Sequence, residues 1–157
     1  MFSFLKKKED LFVSPVKGKV ICLKDVNDPV FSQGLMGQGF AIVPENGSVY
    51  APVDGDVVMA FPSGHAYGIR MADGTEVLLH LGIDTVELNG EGFEVFVHQN
   101  DRVKKGDLLC KMDLDLIQSK GKVTTCIVIF PNGEKVELLC QNRLVDVAEA
   151  KIIKFSK

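Results

Sequence analysis

The sequence predicts an all-β fold: one antiparallel β-sandwich or distorted barrel of many short strands, with one or two short helices. Three observations carry this. Short apolar runs rich in β-branched residues are separated by turn residues every ~8–12 positions. Asp73-Gly74 and Asn132-Gly133 each stand between two such runs, a strong hairpin signal. A pattern also repeats: Ser14-Pro15-Val16-Lys17-Gly18-Lys19-Val20-Ile21 returns thirty-seven residues later as Ala51-Pro52-Val53-Asp54-Gly55-Asp56-Val57-Val58. Two copies are too few for a solenoid. They suit a pseudo-symmetric sandwich or barrel.

In chain order, residues 1–9 read as a leader and residues 10–157 as a single domain. The leader places Lys6, Lys7 and Lys8 after its apolar residues, the reverse of a secretory signal, so the protein is expected in the cytoplasm. It is either a solvated start or a weak interfacial anchor. Residues 11–24 read as a strand, and residues 25–40 as an ordered loop with three glycines and a proline. Short strands follow at residues 41–43 and 48–50, and then the hairpin centred on Asp73-Gly74. Residues 83–94 form an acidic loop carrying Asp84, Glu87, Glu91 and Glu94. Residues 95–98 read as a strand, and residues 102–109 as a turn into another. Residues 113–120 are the good helix candidate, with Leu114 and Ile117 at helical spacing and Gly121 as a cap. Residues 123–130 and 134–139 form the Asn-Gly hairpin, which sets Cys126 opposite Leu139 and Thr125 opposite Cys140.

Composition excludes several classes. A net charge of −3 offers no basic footprint for nucleic acid. No apolar run approaches the ~20 residues of a membrane span. Cys22, Cys110, Cys126 and Cys140 show no C-x-x-C spacing and are expected to be buried, reduced and structural.

The chemistry gathers on the first hairpin. If its loop is the two-residue Asp73-Gly74 type I′ turn, Tyr67 faces His80 and His65 faces Gly82. Two of the three histidines then share one face as diagonal neighbours, roughly 7 Å apart at the backbone. A one-residue slip would send them to opposite faces. Gly64, Gly68 and Gly82 leave that face open.

Three site types compete. A zinc centre needs about three protein ligands, and neither H-x-H nor H-E-x-x-H occurs, although Asp84 stands four residues beyond His80. A serine nucleophile lacks the G-x-S-x-G context, and Ser63 is better suited to orienting His65. A histidine acting as phosphoryl acceptor needs in-line positioning and donors to the phosphoryl oxygens, which a second imidazole and a hydroxyl supply.

At these residues the chain resembles the glucose-type enzyme IIA domain of the bacterial sugar phosphotransferase system. The resemblance lies in Ala51-Pro52-Val53-Asp54-Gly55, in Gly64-His65-Ala66 and above all in the continuous run from Val77 to Phe93, which includes His80-Leu81-Gly82-Ile83-Asp84-Thr85-Val86-Glu87-Leu88. It implies a sandwich related to biotinyl-carrier folds. It also implies phosphoryl transfer from the histidine-containing phosphocarrier protein to a cysteine of an enzyme IIB domain, with no cofactor and no intrinsic metal. By position, His80 is the implied acceptor, His65 the donor to phosphoryl oxygens, and Ser63 the hydroxyl that orients His65. Val30, Phe31, Phe61 and Leu78 are the implied apolar partner surface, and Asp84 the implied contact for basic partner groups. A regulatory binding module read by its phosphorylation state remains the second reading, and a zinc endopeptidase of related shape a distant third.

Overall fold

The computed structural model describes residues 11–156, so the leader and its anchor reading lie outside the described residues. Its largest sheet has eight antiparallel strands, in the spatial order β12 (Leu144–Val145), β1 (Gly18–Cys22), β2 (Gln38–Pro44), β10 (Val123–Phe130), β6 (Glu76–Ile83), β5 (Ala66–Arg70), β4 (Gly55–Ala60) and β8 (Arg102–Val103). A three-stranded sheet, β3 (Ser48–Tyr50), β9 (Leu108–Met112) and β7 (Phe93–Val95), and a two-stranded ribbon, β11 (Lys135–Leu138) and β13 (Ile153–Ser156), complete the strands. The helices are short: α1 (Pro29–Ser32) and α2 (Leu114–Ser119).

The repeat in the sequence is a repeat in the sheet. β1 lies between its hairpin partner β2 and the short edge strand β12, and β4 lies between β5 and the short edge strand β8. Gly18 and Gly55 open the two units. A Cβ on Gly18 would fall 2.1 Å from the Val43 carbonyl oxygen, and one on Gly55 would fall 2.2 Å from that of Arg70. Only glycine lets the backbones approach so closely. The units also clasp each other, since Val13 N–H donates to the Pro52 carbonyl and Tyr50 N–H to that of Pro15.

The core divides in two. The large cluster holds Phe12, Phe40, Ile42, Tyr67, Ile69, Leu79, Leu81, Leu109, Val128 and Phe155, so the smaller sheets close over one face of the large one as a sandwich. On the other face Val26, Phe31, Ala41, Ile83, Ile127 and Ile129 form a thin second layer. Strand β10 is apolar almost throughout because it is covered on both faces and paired on both edges.

Several expectations need correction. Of residues 11–24, only Gly18–Cys22 are strand, followed by a 3₁₀ turn at Leu23–Asp25. The strand expected at residues 95–98 is Phe93–Val95. The loop at residues 25–40 contains α1, capped by Asp28, whose carboxylate accepts from Val30 N–H. Asn132-Gly133 turns the chain, but β11 does not pair back on β10, because both edges of β10 are occupied. It pairs with β13 instead, while Phe155 stacks on Phe130 at 4.8 Å between ring centroids. All four cysteines are free, but only Cys110 and Cys126 are buried. Cys22 and Cys140 are half-buried. Helix α2 agrees with expectation, and Asp113 caps it by accepting from Leu116 N–H.

Candidate active site

The hairpin that carries the histidines differs from the expected two-residue turn. Met71 N–H donates to the Thr75 carbonyl and Gly74 N–H to that of Met71. Gly74 is the one loop residue with positive φ, at 91°, and the Asp73 carboxylate accepts from Thr75 N–H. This is a three-residue loop, a type I turn closed by a left-handed glycine, and it shifts the register by one. His80 therefore faces Ala66, and Tyr67 faces Leu79.

In a regular ribbon that shift would separate the imidazoles. They meet nevertheless, because His65 is not in the ladder. It lies in the turn joining β4 to β5, where Gly64 N–H donates to the Phe61 carbonyl and Phe61 N–H to that of Ala66. The two ring centroids are 5.4 Å apart and the planes cross at 78°. His65 is buried, at 2 % exposure, whereas His80 is half-buried on the thin side of the sheet opposite Ile127.

Each ring is oriented by a bond to a residue two positions away. His80 Nδ1 lies 2.7 Å from the Gly82 carbonyl oxygen. A carbonyl only accepts, so Nδ1 carries the proton and Nε2 of the neutral ring keeps its lone pair. His65 Nδ1 lies 2.6 Å from the Ser63 hydroxyl. Burial holds both imidazoles below the ordinary histidine range, and the neighbouring His80 lowers His65 further. For His80 the Gly82 carbonyl, Asp28 and Asp84 pull the other way without prevailing. The pair thus favours two neutral rings, one of them with a free nucleophilic nitrogen.

Two aromatic rings frame the pair: Phe31 lies 5.1 Å from His80 and Phe61 5.1 Å from His65, centroid to centroid. The acidic stretch is divided. Glu87 is paired with Lys122 at 2.6 Å and Glu91 with Lys120 at 3.4 Å, whereas Asp84 is exposed next to His80. Among the described residues, no group of three or more histidine, cysteine, aspartate or glutamate side chains is arranged to hold a metal ion.

Residues 10–136 match the family model described as "phosphoenolpyruvate-dependent sugar phosphotransferase system, EIIA 1". The chain belongs to that family. It is 48% identical over 130 residues to the PTS system glucosamine-specific EIICBA component of Bacillus subtilis (strain 168), covering 83% of this chain and 21% of that one. It is 43% identical over 129 residues to the PTS system glucose-specific EIIA component of Halalkalibacterium halodurans, covering 82% of this chain and 75% of that one. The chain thus spans about a fifth of the length of its EIICBA relatives. The solved structure of glucose permease IIA from Mycoplasma capricolum superposes with a TM-score of 0.83 at 39% identity, covering 90% of this chain and 93% of that one.

Within this EIIA domain the structure places the remaining expected residues around the histidines. Val30 and Phe61 are exposed, at 46% and 42%, while Phe31 is buried within the second core layer. Leu78 is half-buried on the same face as His80 and packs on that layer. Three roles escaped the sequence reading. The Gly82 carbonyl sets the His80 tautomer, Asp28 adds a second carboxylate field at His80, and Thr85 braces the turn beyond it. The Asp28-Pro29 dipeptide, a helix cap followed by a first-turn proline, was the available signal for one of them. Among the described residues no helix is long and apolar enough to cross a membrane.

Proposed function

We propose that this EIIA domain is a phosphoryl carrier of the sugar phosphotransferase system, with His80 as the acceptor. The observation that carries the reading is the bond from His80 Nδ1–H to the Gly82 carbonyl. It leaves Nε2 as the single nucleophilic position of a ring that burial keeps neutral. In the first transfer, Nε2 attacks the phosphorus carried by the histidine-containing phosphocarrier protein. A new P–N bond forms as the donor's P–N bond breaks. In the second, a cysteine thiolate of an enzyme IIB domain attacks, and a P–S bond replaces the P–N bond. No metal or cofactor takes part, and the reading keeps the domain in the cytoplasm.

His65 supplies the electrostatic part. With the Ser63 hydroxyl donating to Nδ1, the His65 proton sits on Nε2 and is offered to the phosphoryl oxygens as they move. Val30, Phe31, Phe61 and Leu78 give tolerant apolar packing for either partner, while Asp84 meets basic groups on it. The names of the relatives point to sugars of the glucose and glucosamine type as the eventual acceptors.

The test is transfer of label from phosphoenolpyruvate through the phosphocarrier protein. Wild type is expected to gain an acid-labile phosphoryl group and pass it to IIB, and His80→Ala to gain none. His65→Gln is expected to accept label but deliver it poorly. Full labelling of His80→Ala would sink the assignment, and normal delivery by His65→Gln would remove its role.

A further inference from the structure

The nucleophile's tautomer depends on a single carbonyl, so whatever aims that carbonyl controls the site. In a regular strand the Gly82 carbonyl would join the ladder. Here Gly82, near the end of β6, has φ 85°, and Asp84, just beyond the strand, has φ 59°, so the strand is irregular immediately after His80. This irregular end of the strand is held at Leu81. Its N–H donates to the His65 carbonyl at 2.7 Å, and its own carbonyl accepts from the Thr85 hydroxyl at 2.7 Å. Thr85 is fully buried, at 0% exposure. Its methyl lies over Gly82, where an added Cβ would fall 2.4 Å from Thr85 Cγ2 and 2.8 Å from the Val123 carbonyl oxygen. Strand β10 makes room by a shift of register between Val123 and Cys126.

We infer that Thr85 is a positioning residue for His80: its hydroxyl fixes the Leu81–Gly82 peptide and so aims the Gly82 carbonyl at Nδ1. This rests on the reading of His80 as the phosphoryl acceptor. Thr85 bonds the backbone rather than either ring, so it acts through Gly82. Its grip on Leu81 also couples the two histidines, because the same residue carries the bond to the His65 carbonyl. Burial alone asks only that the hydroxyl find some acceptor. The positioning role asks that the acceptor be this carbonyl.

The experiment compares full-length Thr85→Val, which keeps the shape and loses the hydroxyl, with Thr85→Ser, which keeps the hydroxyl. The first readout is the His80 ring tautomer in the unphosphorylated protein, from ¹⁵N chemical shifts. The second is the rate of phosphoryl uptake from the phosphocarrier protein. Wild type and Thr85→Ser are expected to show the Nδ1–H tautomer, with Thr85→Ser uptake within about twofold of wild type. Thr85→Val is expected to show mixed tautomers and uptake slowed about tenfold, the order expected when a reacting group loses its alignment. If Thr85→Val fails to fold, Thr85→Ala against Thr85→Ser makes the same comparison. A hydroxyl-free variant with the wild-type tautomer and rate would overturn the inference, as would Thr85→Ser behaving like Thr85→Val. Should no protein take up label at all, the carrier reading falls, while the tautomer still decides the role of Thr85.

Discussion

Ser63 and His65 are joined side chain to side chain across one intervening glycine, with the hydroxyl 2.6 Å from Nδ1. Removing the hydroxyl frees the ring to turn and to change tautomer. Ser63→Ala is expected to accept phosphate normally and to deliver it to IIB several-fold more slowly. Ser63→Thr, whose extra methyl restricts the rotamer, should deliver at least as fast as wild type. Single-turnover delivery rates check both, and an unimpaired Ser63→Ala would leave the hydroxyl without a catalytic part.

Stability should depend on pH through the same two rings. Both imidazoles titrate below the ordinary value of 6.5 when folded. The unfolded chain therefore binds more protons as pH falls through that value. Stability present above pH 6.5 is lost progressively below it, until the folded pKa values are passed. Thermal midpoints are expected to fall as the pH drops below 6.5, and to fall less in a His65→Gln, His80→Gln double variant. An equal fall in the double variant would assign the acid loss to other groups.

Asp84 and Asp28 are the carboxylates whose field reaches His80, whereas Glu87 and Glu91 are occupied by lysines. Steering of a basic partner is therefore expected from the aspartates. Asp84→Asn suits the left-handed backbone at that position. It should slow association with the phosphocarrier protein at low salt and flatten the dependence on ionic strength. Glu87→Gln should do neither. Stopped-flow association rates across a salt series distinguish them.

Tyr67 offers a prediction outside the chemistry. Its ring is fully buried, and its hydroxyl has the Cys110 thiol, a weak partner, beside it and no strong hydrogen bond. An unsatisfied buried polar group costs about 1–3 kcal/mol. Tyr67→Phe is accordingly expected to leave stability unchanged or raise it by about 1 kcal/mol, as measured by urea unfolding. A loss greater than that would mean the hydroxyl is satisfied.

Much of this was legible in the residues. Val123–Phe130 reads as a strand and is one, although not in the hairpin expected of it, and Asp113 announces the start of α2. The histidine pair was legible too, but for an incomplete reason. Asp-Gly suits either a two-residue turn or the last positions of a three-residue loop, and the local sequence does not choose between them. The pairing survives because Gly64 and His65 bend out of the ladder, which alternation alone does not reveal. Where Asn132-Gly133 sends the chain depended on strands β2 and β6 already flanking β10, a fact held elsewhere in the sequence. At four residues, α1 is too short to show any period.

The bonds that orient the two imidazoles are all short in sequence. Ser63 to His65 and His80 to Gly82 span two residues each, and Thr85 to Leu81 spans four. Each of these three bonds closes within one short stretch of chain. A centre wired this way is portable: its chemistry travels with two short pieces of chain and asks of its surroundings only that the strands beneath remain paired. A stretch similar to this chain makes up about three quarters of an EIIA relative and about a fifth of an EIICBA relative, where it is tethered within a longer polypeptide. In the tethered form, local concentration would set how often it meets its partner, with no change required at the histidines.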